Sequence, residues 1–191
     1  MHRALMAKGG ATADGAGEKG RKIGLASAWG VLSVLAILAN AIRRLAPIAA
    51  QPLSAGSNAL TTLQWVSYVG FVAIMVYAEG YKAFQRKFSP MVVKRALTLD
   101  ESPGVLKVLL AGPYSMGLFH ATKKRKIVSW SLTFTVVILI ACIKKLPYPW
   151  RSVVDAGAVA GLSWGAVSIL IIWLRAMCGT VPEIDAQLPK E

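Results

Sequence analysis

The chain has 191 residues, 55% of them hydrophobic and only 16% charged, with a mean hydropathy of +0.52 and a formal net charge of +13. A soluble domain of this size carries about 25% charged residues to cover itself against water, so a water-soluble globule does not fit. The apolar excess must face lipid, where backbone groups find partners only within a helix or a closed barrel, and the short alternating segments of a barrel are absent.

Residues 1–20, rich in Gly, Ala and Lys without periodicity, are expected to form a disordered tail. No apolar core precedes residue 23, so no secretory signal is expected, and Asp14 and Glu18 argue against a transit peptide. The first apolar run, 23–42, carries no charge over about 20 positions, the length that crosses hydrocarbon. It closes on "NAIRRLAPI", beginning at Asn40. A second uncharged run, 59–78, completes a first transmembrane hairpin over 21–80.

Residues 81–126 form a basic cytoplasmic or interfacial segment. Tyr81, Phe84 and Phe88 recur at helical spacing and are expected along the membrane interface, with Lys82, Arg86 and Lys87 on other faces. Ser89 with Pro90, and Ser102 with Pro103, read as cap and first-turn pairs of two short helices. The apolar stretch 104–121 is divided by Lys107 and by Gly112 with Pro113 into pieces too short to span. It is either an interfacial helix pair, which is preferred, or a re-entrant loop. Lys123, Lys124, Arg125 and Lys126 follow and, with Lys82, Arg86 and Lys87, are expected to contact anionic lipid headgroups.

The third run, 127–143, leads into "ACIKKLPYP", beginning at Ala141, and the fourth, 153–174, contains one acid, Asp155. Together they make a second hairpin over 127–176, and 177–191 is a C-terminal tail. Cys142 and Cys178 fall at opposite ends of antiparallel spans about 30 Å apart, so no disulfide between them is expected.

The two closing phrases superimpose under a shift of 101 positions. Lys22 then falls on Lys123, Trp29 on Trp130, Ile42 on Ile143, Leu45 on Leu146 and Gly56 on Gly157, within 11 identities over the 46 positions 22–67. Arg43 and Arg44 meet Lys144 and Lys145. The expected fold is an all-α integral membrane protein of four transmembrane helices: two duplicated hairpins in a bundle, with interfacial helices between spans 2 and 3. Lys and Arg number 17 in the termini and the middle segment against 5 in the two remaining loops, which places both termini on the cytoplasmic or equivalent side. Basic residues set beside spans point to topology and lipid rather than nucleic acid.

Gly157, Gly161, Gly165 and Ser168 share one stripe of the fourth span, where missing side chains let a neighbouring backbone approach. Asp155 follows Ser152 in the S-x-x-D capping pattern, and that reading is preferred over an intramembrane proton or cation site. Glu79 closes the second span, where it can pair with Lys82 or hydrate at the interface; His120 is placed near headgroups; Gln64 belongs to the few polar residues at mid-depth. With only His2, His120, Cys142 and Cys178 as soft ligands, no metal or cofactor is expected, and no nucleophile triad or phosphate loop is present. These observations favour a multi-pass protein with an interaction or assembly role, bound to other membrane subunits or to copies of itself. The alternatives are a small transporter or channel of parallel repeats, and a membrane-surface enzyme acting on lipid through Glu79, Asp155 or His120.

Overall fold

The computed structural model describes residues 24–54, 59–101 and 104–189, so the expected tail over 1–20 and the Ser102–Pro103 signal lie outside the described residues. Every regular element among them is helical. They are α1 (Leu25–Ala49), α2 (Thr62–Met75), a π-helical segment (Val76–Phe88), α3 (Ser89–Glu101), α4 (Val105–Leu109), α5 (Ala111–Ser115), α6 (Lys123–Ile143) and α7 (Trp150–Met177), with a 3-10 turn at Gln51–Leu53. Three of them, α1, α6 and α7, are long and apolar enough to cross a membrane. The 14 residues of α2 fall short alone, but the chain runs from α2 through the π-helical segment into α3 without leaving helical backbone.

That continuity departs from the expected break at Ser89 and Pro90. Ser89 is buried and its hydroxyl caps nothing. A proline in a regular α-helix collides with the carbonyl four residues back; the wider π turn before Pro90 gives the ring room, so the helix continues.

Helix α1 runs antiparallel to α7: beyond the end of α1, Gln51 Oε1 accepts a hydrogen bond from Ser152 Oγ near the start of α7 at 3.2 Å. The continuous α2 to α3 helix runs parallel to α7. The core joins Val31, Val34 and Leu38 of α1 to Val92, Val93, Ala96 and Leu97 of α3 and to Ile169 and Ala176 of α7. Phe84 and Phe88 pack against this core edge to face, 5.3 Å apart, so the aromatic face expected at the membrane interface turns inward and only Tyr81 stays exposed.

Helix α6 stands outside this packing, in contrast to the expected bundle of four. Its first turns are held by Ser129 Oγ donating to the Met116 carbonyl (3.1 Å) and Trp130 Nε1 donating to that of Leu118 (3.0 Å); beyond them nearly every side chain is exposed. The physical reason lies in its surface: Leu132, Phe134 and the run Val136 to Ile140 are bulky, and no glycine interrupts them to admit another backbone. The two closing phrases also differ in structure. Arg43 and Arg44 lie within α1, whereas α6 ends before Lys144.

The end of the molecule at the amino terminus of α1 is organised by two charged residues of α3. Asp100 accepts from the backbone N–H groups of Gly24 (2.9 Å) and Ser27 (3.1 Å), capping α1 from across the fold. Arg95 is fully buried. Its Nε donates to the Tyr114 carbonyl (2.8 Å), Nη1 to that of Ala186 (2.8 Å), and Nη2 to those of Phe119 (3.2 Å) and His120 (3.1 Å), while the guanidinium lies 4.6 Å from the Tyr114 ring centroid. Burial lowers the Arg95 pKa from its ordinary value and the neighbouring Tyr114 opposes that shift; a guanidinium remains charged in proteins regardless.

Replacing Arg95 by Leu would take the guanidinium donor from four carbonyls, of which that of Tyr114 keeps the Gly117 N–H at 2.9 Å. The expected cost is about 3–5 kcal/mol of unfolding free energy, read from denaturant titration of the purified protein in detergent. Arg95→Lys recovers little of it, because an ammonium has three donors against the four carbonyls that the guanidinium serves and lacks its planar fork.

Candidate functional site

An extended interface that carries an ionisable group lies between α7 and the helix made of α2 and the π-helical segment. The small residues of α7 face that helix. A Cβ added at Gly157 would come within 2.7 Å of the Phe71 ring and 2.8 Å of Met75 Cγ. One added at Gly161 would meet Glu79 Oε2 at 3.0 Å, and at Gly165 it would collide with the Phe84 ring. Ser168 continues the buried face. The neighbour of the stripe is therefore a helix of the same chain. Close approach is mutual one turn further on, where Gly80 abuts Trp164 and the Trp164 indole Nε1 donates to Gln85 Oε1 at 2.8 Å.

Glu79 is placed by this packing deep along α7 rather than at its mouth. Helix α7 has 28 residues, about 42 Å of helix, and Gly161 lies within one turn of its midpoint. Glu79 is half-buried, and no hydrogen bond or ion pair reaches its carboxylate among the described residues. The pairing with Lys82 expected from sequence is absent. Lys82 sits three residues on, and the π-helical winding, with more than four residues to a turn, carries it off the line that would align it with Glu79.

The other candidates are dispersed. Asp155 is buried and pairs with Arg151 at 3.6 Å. The Ser152 to Asp155 capping pattern is not used, because α7 begins at Trp150, after Pro149, and Ser152 is spent on Gln51 instead. Gln64 lies in the first turn of α2, not at mid-depth. Its Oε1 accepts from Thr61 N (2.9 Å) while its own N–H reaches Thr61 Oγ1 (3.4 Å), a reciprocal cap. Two other polar side chains of the spans also serve backbone: Ser67 donates to the Leu63 carbonyl at 3.0 Å and Thr133 to that of Ser129 at 2.9 Å. Asn40 Oδ1 accepts from Arg43 at 3.2 Å.

His120 adopts a positive φ of 48°, presents its carbonyl to Arg95 and stacks its ring 6.1 Å from that of Tyr114, with its side chain exposed. Lys82, Arg86 and Lys87 are exposed on the π-helical segment, with Arg86 5.9 Å from the Tyr81 ring centroid. Lys123, Lys124 and Lys126 are exposed at the start of α6, but Arg125 turns inward toward Gly117 and donates at 3.5 Å to the Met116 carbonyl. It is thus less available to a headgroup than its neighbours.

The stretch 104–121 divides as expected into two short helices, although the break falls at Leu110 and Pro113 sits in the first turn of α5. Gly112 lies against Ser33, a Cβ there meeting Ser33 Cβ at 3.1 Å and Ile37 Cδ1 at 3.7 Å. A shallow apolar groove of about 620 Å³ opens between α1 and α4, lined by Leu25, Trp29, Leu32 and Val108, with no ionisable side chain in its wall.

Two contributors to the architecture escaped sequence reasoning: Arg95, counted only as part of a basic segment, and Asp100. The available signal for Arg95 was its place, next to Lys94, inside "MVVKRALTL", whose other residues are nearly all apolar. Among the described residues no group of three or more His, Cys, Asp or Glu is placed to hold a metal ion. Comparison with protein-family models, curated proteins and solved structures finds no match to this chain.

The stripe allows a direct test. Gly157→Ala, whose new methyl meets Phe71 and Met75, is expected to lower unfolding free energy by about 1–3 kcal/mol. Gly70→Ala, on the face of α2 where nothing lies within 4 Å, is expected to be neutral or to stabilise by up to about 1 kcal/mol. Parallel denaturant titrations of the two variants check both.

Proposed function

We propose that this chain is a four-span membrane protein whose role is to bind and organise other subunits of a membrane complex. The observation that carries this reading is the state of α6. An apolar helix of 21 residues stands with its surface uncovered in the monomer, while α1, α3 and α7 form a packed core without it. A span that contributes nothing to its own bundle is available to another. The polar side chains that a transport path would need give further support by where they are spent: Gln64, Ser67 and Thr133 satisfy backbone groups instead of converging.

In this reading the fourth span is α2 continued through the π-helical segment, so that Arg86 and Lys87 stand at its inner end. Both termini lie on the cytoplasmic or equivalent side, following the distribution of basic residues. Exposed Lys82, Arg86, Lys87, Lys123, Lys124 and Lys126 then serve as contacts to anionic headgroups. Residues 104–121 form a re-entrant pair, supported by the contact of Gly112 with Ile37 near the middle of α1. The duplicated hairpin draws support from Gln51 and Ser152, which correspond under the 101-residue shift and hydrogen-bond each other, as equivalent positions do beside a two-fold axis.

Native mass spectrometry after gentle extraction tests the assembly role. The expected outcome is the chain in stoichiometric association with other subunits, lost when Leu132, Val136 and Leu139 of α6 are replaced together by Ala with no change in the unfolding midpoint. Recovery of the wild-type chain alone in all gentle detergents would overturn the reading in favour of solute flux assays.

A further inference from the structure

The geometry points to Glu79 as a proton-binding site inside the membrane: a carboxyl that takes up and releases a proton from between the π-helical segment and α7. The inference rests on the reading of α7 as a span, and three independent features carry it. The first is depth. Glu79 packs on Gly161, within one turn of the midpoint of α7, so that hydrocarbon extends beyond it in both directions along the helix. An ionised carboxylate at that depth is costly unless paired, and the uncharged acid is the form such a site favours.

The second is the lack of a counterion. On its own helix the nearest cations are Lys82 and Arg86, neither of which forms an ion pair with Glu79. The facing helix α7 has Asp155, held by Arg151, and then no charge until Arg175. Helix α1, which also packs on α7, has none from Leu25 to Ala41. With no cation to neutralise it, a proton is the ligand the surroundings supply.

The third is the backbone. Glu79 lies on a 13-residue π-helical segment, a winding that is rare and recurs at functional sites. Its carboxyl fills the space left by the missing side chain of Gly161, so gain or loss of a proton acts directly on the packing against α7. Arg86 and Lys87, further along the same segment and exposed, lead from the site toward the basic end of the molecule, where water can deliver the proton.

The full-length protein in phosphatidylcholine vesicles, treated with dicyclohexylcarbodiimide, tests this. That reagent enters hydrocarbon and reacts with the protonated acid: the carboxyl oxygen bonds to the carbodiimide carbon, the acid proton moves to nitrogen, and the adduct rearranges to a stable N-acylurea that peptide mapping locates. Labelling is expected at Glu79, falling about tenfold for each pH unit above the titration midpoint as the protonated fraction falls. Infrared difference spectra of wild type against Glu79→Gln are expected to show the carbonyl stretch of a protonated acid that exchanges for a carboxylate band as pH rises. A carboxylate band at Glu79 that persists from acid to alkaline pH would overturn the proposal, as would labelling indifferent to pH. Efficient modification of Glu79 by a water-soluble carbodiimide, with none by the hydrophobic one, would instead overturn the membrane placement on which it rests.

Discussion

A buried guanidinium sets the terms for one whole end of this molecule. Arg95 is removed from solvent, and the dipoles that compensate it come from four places: Tyr114 at the end of α5, Phe119 and His120 in the following loop, and Ala186 in the C-terminal tail. A charge in a low dielectric demands such partners strongly, and the demand works in both directions, since each carbonyl would itself be costly to bury alone. The need to surround one side chain therefore holds α3, α5, the turn before α6 and the tail in a fixed relation. The positive φ of His120 and the fold-back of the tail past Gly179 are understandable as the backbone routes that bring those oxygens to it.

Away from that end the organising principle changes. Between α7 and the α2 to π-helical stretch no charge is compensated; what draws the helices together is the absence of side chains at Gly157, Gly161 and Gly165, filled by Phe71, Met75, Glu79 and Phe84. In hydrocarbon there is no hydrophobic gain in pressing two apolar helices together, so close van der Waals contact decides which pairs form. α7 has the grooves and finds partners. α6, equally apolar, has none and stays apart. The contrast between two helices of similar hydropathy shows that in such a protein the pattern of small residues, rather than hydrophobicity, writes the packing.

The same contrast explains what could be seen in advance. Apolar runs announce helices because lipid allows little else, and a spacing of four places glycines on one stripe whatever the neighbour is. The neighbour's identity was not legible, nor was the winding of residues 76–88, because α and π helices draw on the same residues and differ only through tertiary constraint. Phe84 and Phe88 were misplaced for a related reason: an aromatic face at the end of a span suits both an interface and a core. Ser152 and Asp155 matched a local capping pattern, but Pro149 started the helix before the pattern could act. Arg95 and Asp100 find their partners far along the chain, and no local window contains those distances.

The antiparallel packing of α1 on α7 has a consequence for how the protein is made. Val31 and Val34 share one core with Val92, Val93 and Ala96 of α3 and with Ile169 and Ala176 of α7, so the core that the oldest part of the nascent chain begins closes only when the youngest helix arrives. At typical rates of about 5–20 residues per second the first helix waits roughly 7–30 s for that partner. Throughout that interval its valine face shares the core with α3 alone. A message truncated before α7 therefore encodes a core that lacks its Ile169 and Ala176 wall, which makes quality control of this protein a matter of its last quarter.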